Sequence, residues 1–209
     1  SNEIISKTFE KNGDKYFLFS FSDSLHDNKN DVIDAYSSVQ MSSQSIIENE
    51  VAFMRHCIDA CKIPSNISSS ERNLMEQSVS ILKMSQVNDA EIFPLSHGQV
   101  LASLRPGAWA ISWVRDASYA IDAMNALGMF NEAKKGLEFM LKAAPTNQYV
   151  HFIHSDKKDY GILVPYQISV TRYFGNGREE SDYVDDRGPN IEIDDFGLFL
   201  TAFCDYINK

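Results

Sequence analysis

The sequence predicts a mainly α fold with a short β-rich amino end, and three observations lead to this prediction. Apolar residues recur at helical spacing over several stretches after about residue 31. An Asn-Gly turn signal beside an aromatic run marks the amino end. Glycine and proline punctuate two long irregular stretches that lie between helical segments. These patterns indicate helices joined by two long loops, with a sheet at the beginning of the chain.

The amino-terminal segment carries the β signal. Residues 8–24 read TFEKNGDKYFLFSFSDS, in which Asn12-Gly13 is followed by an aromatic run from Tyr16 to Phe21. Such a pattern is typical of a β-hairpin. Because a lone hairpin is marginally stable in water, we expect its strands to belong to a larger sheet.

Two helical segments follow the hairpin. The pattern is helical from about residue 31 to 62, with a break near the serine-rich residues 42–45. The segment IPSNISSS, residues 63–70, predicts a loop that ends in a helix cap, since Glu71 and Arg72 follow the serines. The next helix carries apolar residues such as Leu74 and Ile81.

The clearest prediction is a helical hairpin in the middle of the chain. Apolar residues recur at three- and four-residue steps from Val114 to Leu127, and Gly128 is suited to end that helix. A second amphipathic run covers 130–143 and stops before Pro145. We therefore expect two antiparallel neighbouring helices.

Long irregular stretches flank the hairpin at 87–113 and 145–190. The first contains QVLASL, residues 99–104, as a candidate short strand, and the second contains a turn signal at 175–177. Long ordered loops usually carry function. A last helix, in NIEIDDFGLFLTAFCDYI, opens with acids that favour a helix amino end: Glu192, Asp194 and Asp195.

Composition narrows the class of partner. A net charge of −10 and a pI near 4.9 argue against nucleic-acid and anionic-membrane partners. No run reaches the roughly 18 apolar residues of a membrane span. The three cysteines and five histidines have no metal-type spacing, so we expect no metal, no cofactor and no disulfide framework. A neutral ligand fits better, and the sequence assigns no cellular compartment.

The start of the central helix raises a specific question. Asp116 suits the positive end of the helix dipole, but Arg115 gains nothing from that position. We therefore expect another group to hold Arg115, either in an ion pair at the helix end or in a ligand site.

Residues 112–141, SWVRDASYAIDAMNALGMFNEAKKGLEFML, resemble glycoside hydrolase family 15, the glucoamylase family. The signature here is a tryptophan, one residue, then Arg-Asp-Ala, followed by a helix and a glycine turn. NIEIDDFGLFLTAF, residues 190–203, is similar to the Gln-x-Asp segment of that family, and ERNLMEQSVSILKMSQ, residues 71–86, looks like its first barrel helix. The resemblance covers roughly residues 71–209.

The resemblance implies a partial (α/α)6 toroid preceded by the end of a β-sandwich and a helical linker. The corresponding expected boundaries are 1–24 for the sandwich end, 25–70 for the linker and 71–209 for the first part of the catalytic barrel. It also implies an exo-acting, inverting hydrolase that releases one sugar from the non-reducing end of an α-linked glucoside.

Carried over residue by residue, the resemblance places a terminal-sugar site at the start of the central helix. Asp116 would accept hydrogen bonds from sugar hydroxyls, Arg115 would donate one, and Trp113 would form an apolar wall. Asp194 keeps the aspartate of the Gln-x-Asp segment. Glu192 stands where glutamine is usual, and because a carboxylate cannot donate a hydrogen bond, its direct role in binding is in doubt.

The resemblance assigns no catalytic residue to this chain. An inverting hydrolase needs a general acid and a general base, and we expect both beyond Lys209. Apolar helix faces of the incomplete barrel should then be exposed, or covered by self-association or by the rest of a parent chain.

Two alternatives remain open at this point. A glucoamylase-like domain can bind carbohydrate without hydrolysing it. A helical interaction module would instead present a continuous solenoid surface and no pocket at Arg115-Asp116, which the two long loops argue against.

Overall fold

A computed structural model describes residues 43–91, 93–104, 109–143, 171–180 and 192–209. Within these ranges the chain is mainly helical, as predicted. The helices are α1 (Ser43–Asp59), α2 (Ser69–Ser85), α3 (Val114–Leu127), α4 (Phe130–Lys142) and α5 (Asp194–Ile207). The strands are β1 (Ser112–Trp113), β2 (Arg172–Tyr173) and β3 (Glu179–Glu180).

The chain divides into two compact units, residues 1–53 and 54–209. In the first unit only the beginning of α1 lies in the described ranges. The predicted hairpin of residues 8–24, and the helical pattern of residues 31–42, lie outside the described residues. The predicted domain boundaries at 24 and 70 therefore stay predictions.

A small antiparallel sheet interrupts the helices, in the order β1-β2-β3. Ser112 lies opposite Tyr173, and Trp113 lies opposite Arg172. The interpretation of 145–190 as irregular is thus wrong at β2 and β3, whose two residues each are too few to show alternation. In 99–104, Val100 forms only an isolated bridge with Gln86, so the candidate strand there is not formed.

The turn between β2 and β3 lies at 175–177, where the sequence predicts one. The amide of Gly177 donates to the carbonyl of Phe174 at 2.9 Å, and the amide of Phe174 donates to the carbonyl of Arg178 at 2.9 Å. The side chain of Asn176 accepts a hydrogen bond from the amide of Arg178. This is a three-residue hairpin loop closed by a glycine bulge.

A capping box starts α2, as the serine-rich loop predicts. The hydroxyl of Ser68 accepts a hydrogen bond from the amide of Glu71, and the carboxylate of Glu71 accepts one from the amide of Ser68 at 2.7 Å. These hydrogen bonds satisfy two amide groups that have no helical partner.

The central hairpin has nearly the predicted bounds, 114–127 and 130–142. Gly128 ends α3 in the left-handed conformation, with φ of 79°. Its amide donates to Asn125, and the amide of Met129 donates to Met124 at 2.8 Å, which is the Schellman pattern.

Gly136 explains how closely the two helices pack. A Cβ atom at Gly136 would lie 2.9 Å from Cγ1 of Ile121 and 3.5 Å from Val100. Ile121 and Gly136 are nearly equidistant from the turn, as an antiparallel hairpin requires.

The core lies around α3, against which α4 and α5 pack, and Val79 of α2 belongs to the same buried cluster. It comprises Val79, Val100, Ala117, Ile121, Met124, Leu127, Met129, Ala133, Leu137 and Ala202. Polar bonds join the same helices: Asn125 donates to the carbonyl of Ala202 at 3.2 Å, and Lys83 pairs with Glu132 at 2.8 Å. α3 is therefore the central helix of the described residues.

Large apolar side chains are exposed on several of the described helices. They include Leu74, Ile81 and Met84 on α2 and Phe196, Leu200 and Ile207 on α5. Within the part of the chain that the structure describes, no helix combines the length and apolar character needed to cross a membrane.

Candidate functional site

The amino end of α3 is fixed by the small sheet. β1 ends at Trp113, and the amide of Val114 donates to the carbonyl of Thr171 at 2.9 Å, directly before β2. Arg115 and Asp116 thus begin the helix at a position that the strand pairing determines. The long-range bond explains why a short strand precedes the helix here.

The amino end of α5 lies beside the amino end of α3. It presents Glu192, Asp194 and Asp195, and the amide of Asp195 donates to the carbonyl of Glu192 at 3.2 Å. Carboxylates at this position are stabilised by the unpaired amides of the first helical turn.

Arg115 joins the two helix ends. Its Nε donates to Oδ2 of Asp194 at 2.9 Å, and its Nη2 donates to Oδ1 at 3.2 Å, so the two side chains form a bidentate pair. Nη2 also forms an ion pair with Glu192, and Nε lies 3.9 Å from Oδ1 of Asp195. We call these four residues, Arg115, Glu192, Asp194 and Asp195, the acidic clamp.

The ion pairs of the clamp explain why an arginine is stable at the positive end of a helix. The hydrogen bond to Asp194 is the main cause that raises the pKa of Arg115 above its usual value, and the charges of Asp194, Asp195 and Asp116 add to it. The pair is partly exposed, at 39% for Arg115 and 56% for Asp194, so its own contribution to stability is about 1 kcal/mol or less. Its value lies in holding the guanidinium in one orientation.

Asp116 is not among the ion-pair partners of Arg115 in the described residues. It is exposed, and the described carboxylates within ion-pair distance of Arg115 are those of Glu192, just before α5, and of Asp194 and Asp195 in its first turn. The contacts of Arg115 within the described residues use Nε and Nη2. Asp116 and Nη1 of Arg115 therefore take no part in the ion pairs of the clamp.

Trp113 packs against Trp109 and Arg172, neither of which the sequence marks as a site residue. The guanidinium of Arg172 lies 4.7 Å from the centroid of the Trp113 ring, and Trp109 contacts Trp113 edge to face with centroids 4.9 Å apart. Arg172 is fully buried and pairs with Glu180 at 2.9 Å. The sheet therefore supplies a cation–π contact that fixes the orientation of the Trp113 ring.

A cavity of about 260 Å³ lies beside the clamp. Its lining is mostly apolar and consists of Val114, Met140, Leu141, Tyr173, Glu192, Asp195, Phe196 and Phe199. Two of the carboxylates of the clamp thus face an apolar space.

Asp195 is the most unusual residue of the site. Its side chain is 5% exposed, and neither carboxylate oxygen accepts a hydrogen bond from any group in the described ranges. Burial raises the pKa of Asp195 to about 6, Arg115 opposes this shift, and the charges of Asp194 and Asp116 add to it. In the sequence, Asp195 is only one of three acids at the start of a helix. The helix dipole explains acids at that position, so the sequence does not distinguish Asp195 from the other two.

The three carboxylates of the clamp also have the spacing of a metal site. Oxygen atoms of Glu192, Asp194 and Asp195 lie within 4.8 Å of one another. Both oxygens of Asp194 already accept hydrogen bonds from Arg115, and Glu192 forms an ion pair with the same guanidinium, so oxygens that a metal ion would need as ligands are in use. The residues therefore do not favour a metal ion, and the prediction of no metal stays a prediction.

No family model matches the chain, and no curated protein or solved structure matches it either.

Proposed function

We propose that this chain is part of an exo-acting, inverting α-glucoside hydrolase of the glucoamylase type and that it supplies the terminal-sugar binding residues. The observation that carries the proposal is the bidentate contact between Arg115 and Asp194, 79 residues apart. The two segments that resemble family 15 each begin a helix, and these residues join the two helix ends.

In this proposal Arg115 and Asp116 bind the outer hydroxyls of the terminal sugar. Asp116 is exposed at the amino end of α3 and offers a charged acceptor. Arg115 is oriented by Asp194 and retains Nη1, which the contacts to the acids of α5 do not use.

The clamp also gives Glu192 a role that fits its departure from the glutamine of the family. Glu192 pairs with Nη2 of Arg115. Because a carboxylate cannot donate to a sugar oxygen, we assign Glu192 and Asp194 to orienting Arg115 rather than to contacting the sugar. Trp113 supplies the apolar wall, with its ring held against Arg172 at 4.7 Å.

The proton transfers of hydrolysis are assigned to carboxylates outside this sequence. Inverting hydrolysis needs two carboxyl groups about 6.5–9.5 Å apart, on opposite faces of the sugar. The clamp does not meet this requirement, because its carboxylate oxygens lie within 4.8 Å of one another and contact Arg115. We expect no cofactor to take part in the reaction.

Titration of the chain with maltose and isomaltose tests the proposal. We expect binding that Asp116→Ala and Arg115→Ala each weaken by about tenfold or more, which corresponds to the loss of a charged hydrogen bond. Glu138→Ala is the matched control, because Glu138 is an exposed acid of α4 that pairs only weakly with Lys134 and Lys142.

The outcome separates the candidate functions. The proposal is supported if Glu138→Ala binds the sugar as the wild type does and Asp116→Ala and Arg115→Ala do not. Binding without hydrolysis in any longer form of the chain favours a non-catalytic carbohydrate-binding domain. The absence of sugar binding, or binding that Asp116→Ala leaves unchanged, contradicts the sugar site and favours a helical interaction module.

A further inference from the structure

The cavity beside the acidic clamp has a carboxylate without a donor. Asp195 lines the cavity, its side chain is 5% exposed, and both its oxygens lack a hydrogen-bond donor among the described residues. Among the described residues the nearest cationic atom is Nε of Arg115, which is 3.9 Å away and already donates to Asp194. A buried carboxylate without a donor is costly, so native structures rarely retain one unless a further group completes it.

The charge balance indicates what that group should carry. The clamp has the three carboxylates of Glu192, Asp194 and Asp195 against the single guanidinium of Arg115. The formal charge is therefore negative, and the exposed carboxylate of Asp116 lies close enough to add to it. A cationic donor compensates this excess, whereas a neutral donor satisfies only the hydrogen bond.

The residues that line the cavity indicate which chemical groups a ligand should have besides its charged group. Apolar side chains cover most of the lining, including the aromatic residues Tyr173, Phe196 and Phe199. Aromatic rings attract cations through their faces, and apolar walls favour a hydrocarbon body. A hydrated divalent ion fits poorly, because calcium takes six to eight oxygen ligands and magnesium keeps its water.

We propose that this cavity binds a small primary ammonium compound with an apolar body, whose ammonium group donates to Asp195. A volume of about 260 Å³ holds roughly eight or nine non-hydrogen atoms if each takes the space of one water molecule. A cycloalkylammonium ion is of this size. The inference does not depend on the proposed function, because the ligand and the interacting carboxylate differ from those of the sugar site.

The test compares cyclohexylammonium with cyclohexanol, which has nearly the same shape and no charge. We expect calorimetric titration of the 209-residue chain near neutral pH to give at least about tenfold tighter binding of the amine. Asp195→Asn should remove this preference, because the amide cannot compensate the ammonium charge. Asp205→Asn, which changes an exposed acid near the other end of α5, should leave it intact.

Each other outcome overturns the inference. Equal affinity for the amine and the alcohol indicates an apolar void without cation recognition. Amine binding that persists in folded Asp195→Asn places the ligand elsewhere. Binding of calcium or magnesium that displaces the amine assigns the carboxylates to a metal ion, and the absence of binding by any probe leaves the cavity a packing defect. Circular dichroism of each variant confirms that it is folded.

Discussion

Replacing Asp195 with asparagine is expected to stabilise the protein near pH 8. The carboxyl group is buried, and its pKa is raised from the ordinary 3.8 to about 6, chiefly by burial. At about 1.36 kcal/mol for each pKa unit, this difference corresponds to a cost of at most about 3 kcal/mol when the group is ionised. Asparagine has the same shape and no charge, so we expect Asp195→Asn to be about 1 to 3 kcal/mol more stable than the wild type.

The stabilisation by Asp195→Asn should depend on pH, because the pKa of Asp195 is raised in the folded protein. Between about pH 4 and pH 6 the folded protein binds more protons at Asp195 than the unfolded chain does. The wild type therefore loses stability as the pH rises through this window, and the full cost is present above it. The gain from Asp195→Asn should be largest at about pH 8 and should nearly vanish near pH 4.

Urea denaturation of the wild type and of Asp195→Asn, at one pH above the window and one below it, measures this difference. Asp205→Asn provides the control for loss of an acidic charge from α5. A variant that is less stable than the wild type at pH 8 shows that the carboxylate has a stabilising donor. A gain of equal size at both pH values shows that ionisation of Asp195 is not its cause.

Three further outcomes are expected. Lys83→Met should lower the free energy of unfolding, measured by urea denaturation, by about 1 to 2 kcal/mol, because it removes the 2.8 Å hydrogen bond to Glu132. Burial alone would raise the pKa of Glu132, but the hydrogen bond from Lys83 lowers it. The cost of the substitution should therefore shrink as the pH falls below the ordinary pKa of 4.5 and Glu132 becomes protonated. Gly136→Ala should cost about 1 to 3 kcal/mol, because its Cβ would lie 2.9 Å from the fully buried Ile121, whereas Lys134→Ala on the same helix should change stability little. The isolated chain should not hydrolyse maltose, isomaltose or trehalose, and glucose release that survives repurification would contradict the assignment of the proton transfers to residues outside it.

The helices were predictable because local chemistry determines them. Helical periodicity and Gly128 predicted the end of α3, and the order of serines before Glu71 predicted the start of α2. These signals lie within a few residues of the feature that they predict, so a single sequence is enough to interpret them.

The sheet and the site depended on pairings that are distant in sequence. β1 and β2 have two residues each, and their pairing brings Arg172 to Trp113 across roughly 60 residues. The sequence showed that Arg115 needed a partner but did not identify Asp194 as that partner. Asp195 is buried, and its helix packs against α3, which lies roughly 80 residues earlier in the chain, so no local pattern of the sequence reveals that burial.

The measurement that tests the sugar site most directly is the kcat/KM of a hydrolytically active longer form of the chain, with and without Asp116→Ala. The loss of a charged acceptor should cost about 2 to 4 kcal/mol in the transition state, which is roughly a 30- to 1,000-fold fall in kcat/KM. Arg115→Lys should also be impaired, because an ammonium group cannot form the planar bidentate contact seen with Asp194. Glu138→Ala should retain wild-type activity. A near wild-type kcat/KM of Asp116→Ala on maltose, isomaltose and trehalose alike would contradict the account and leave Arg115 with a structural ion pair only.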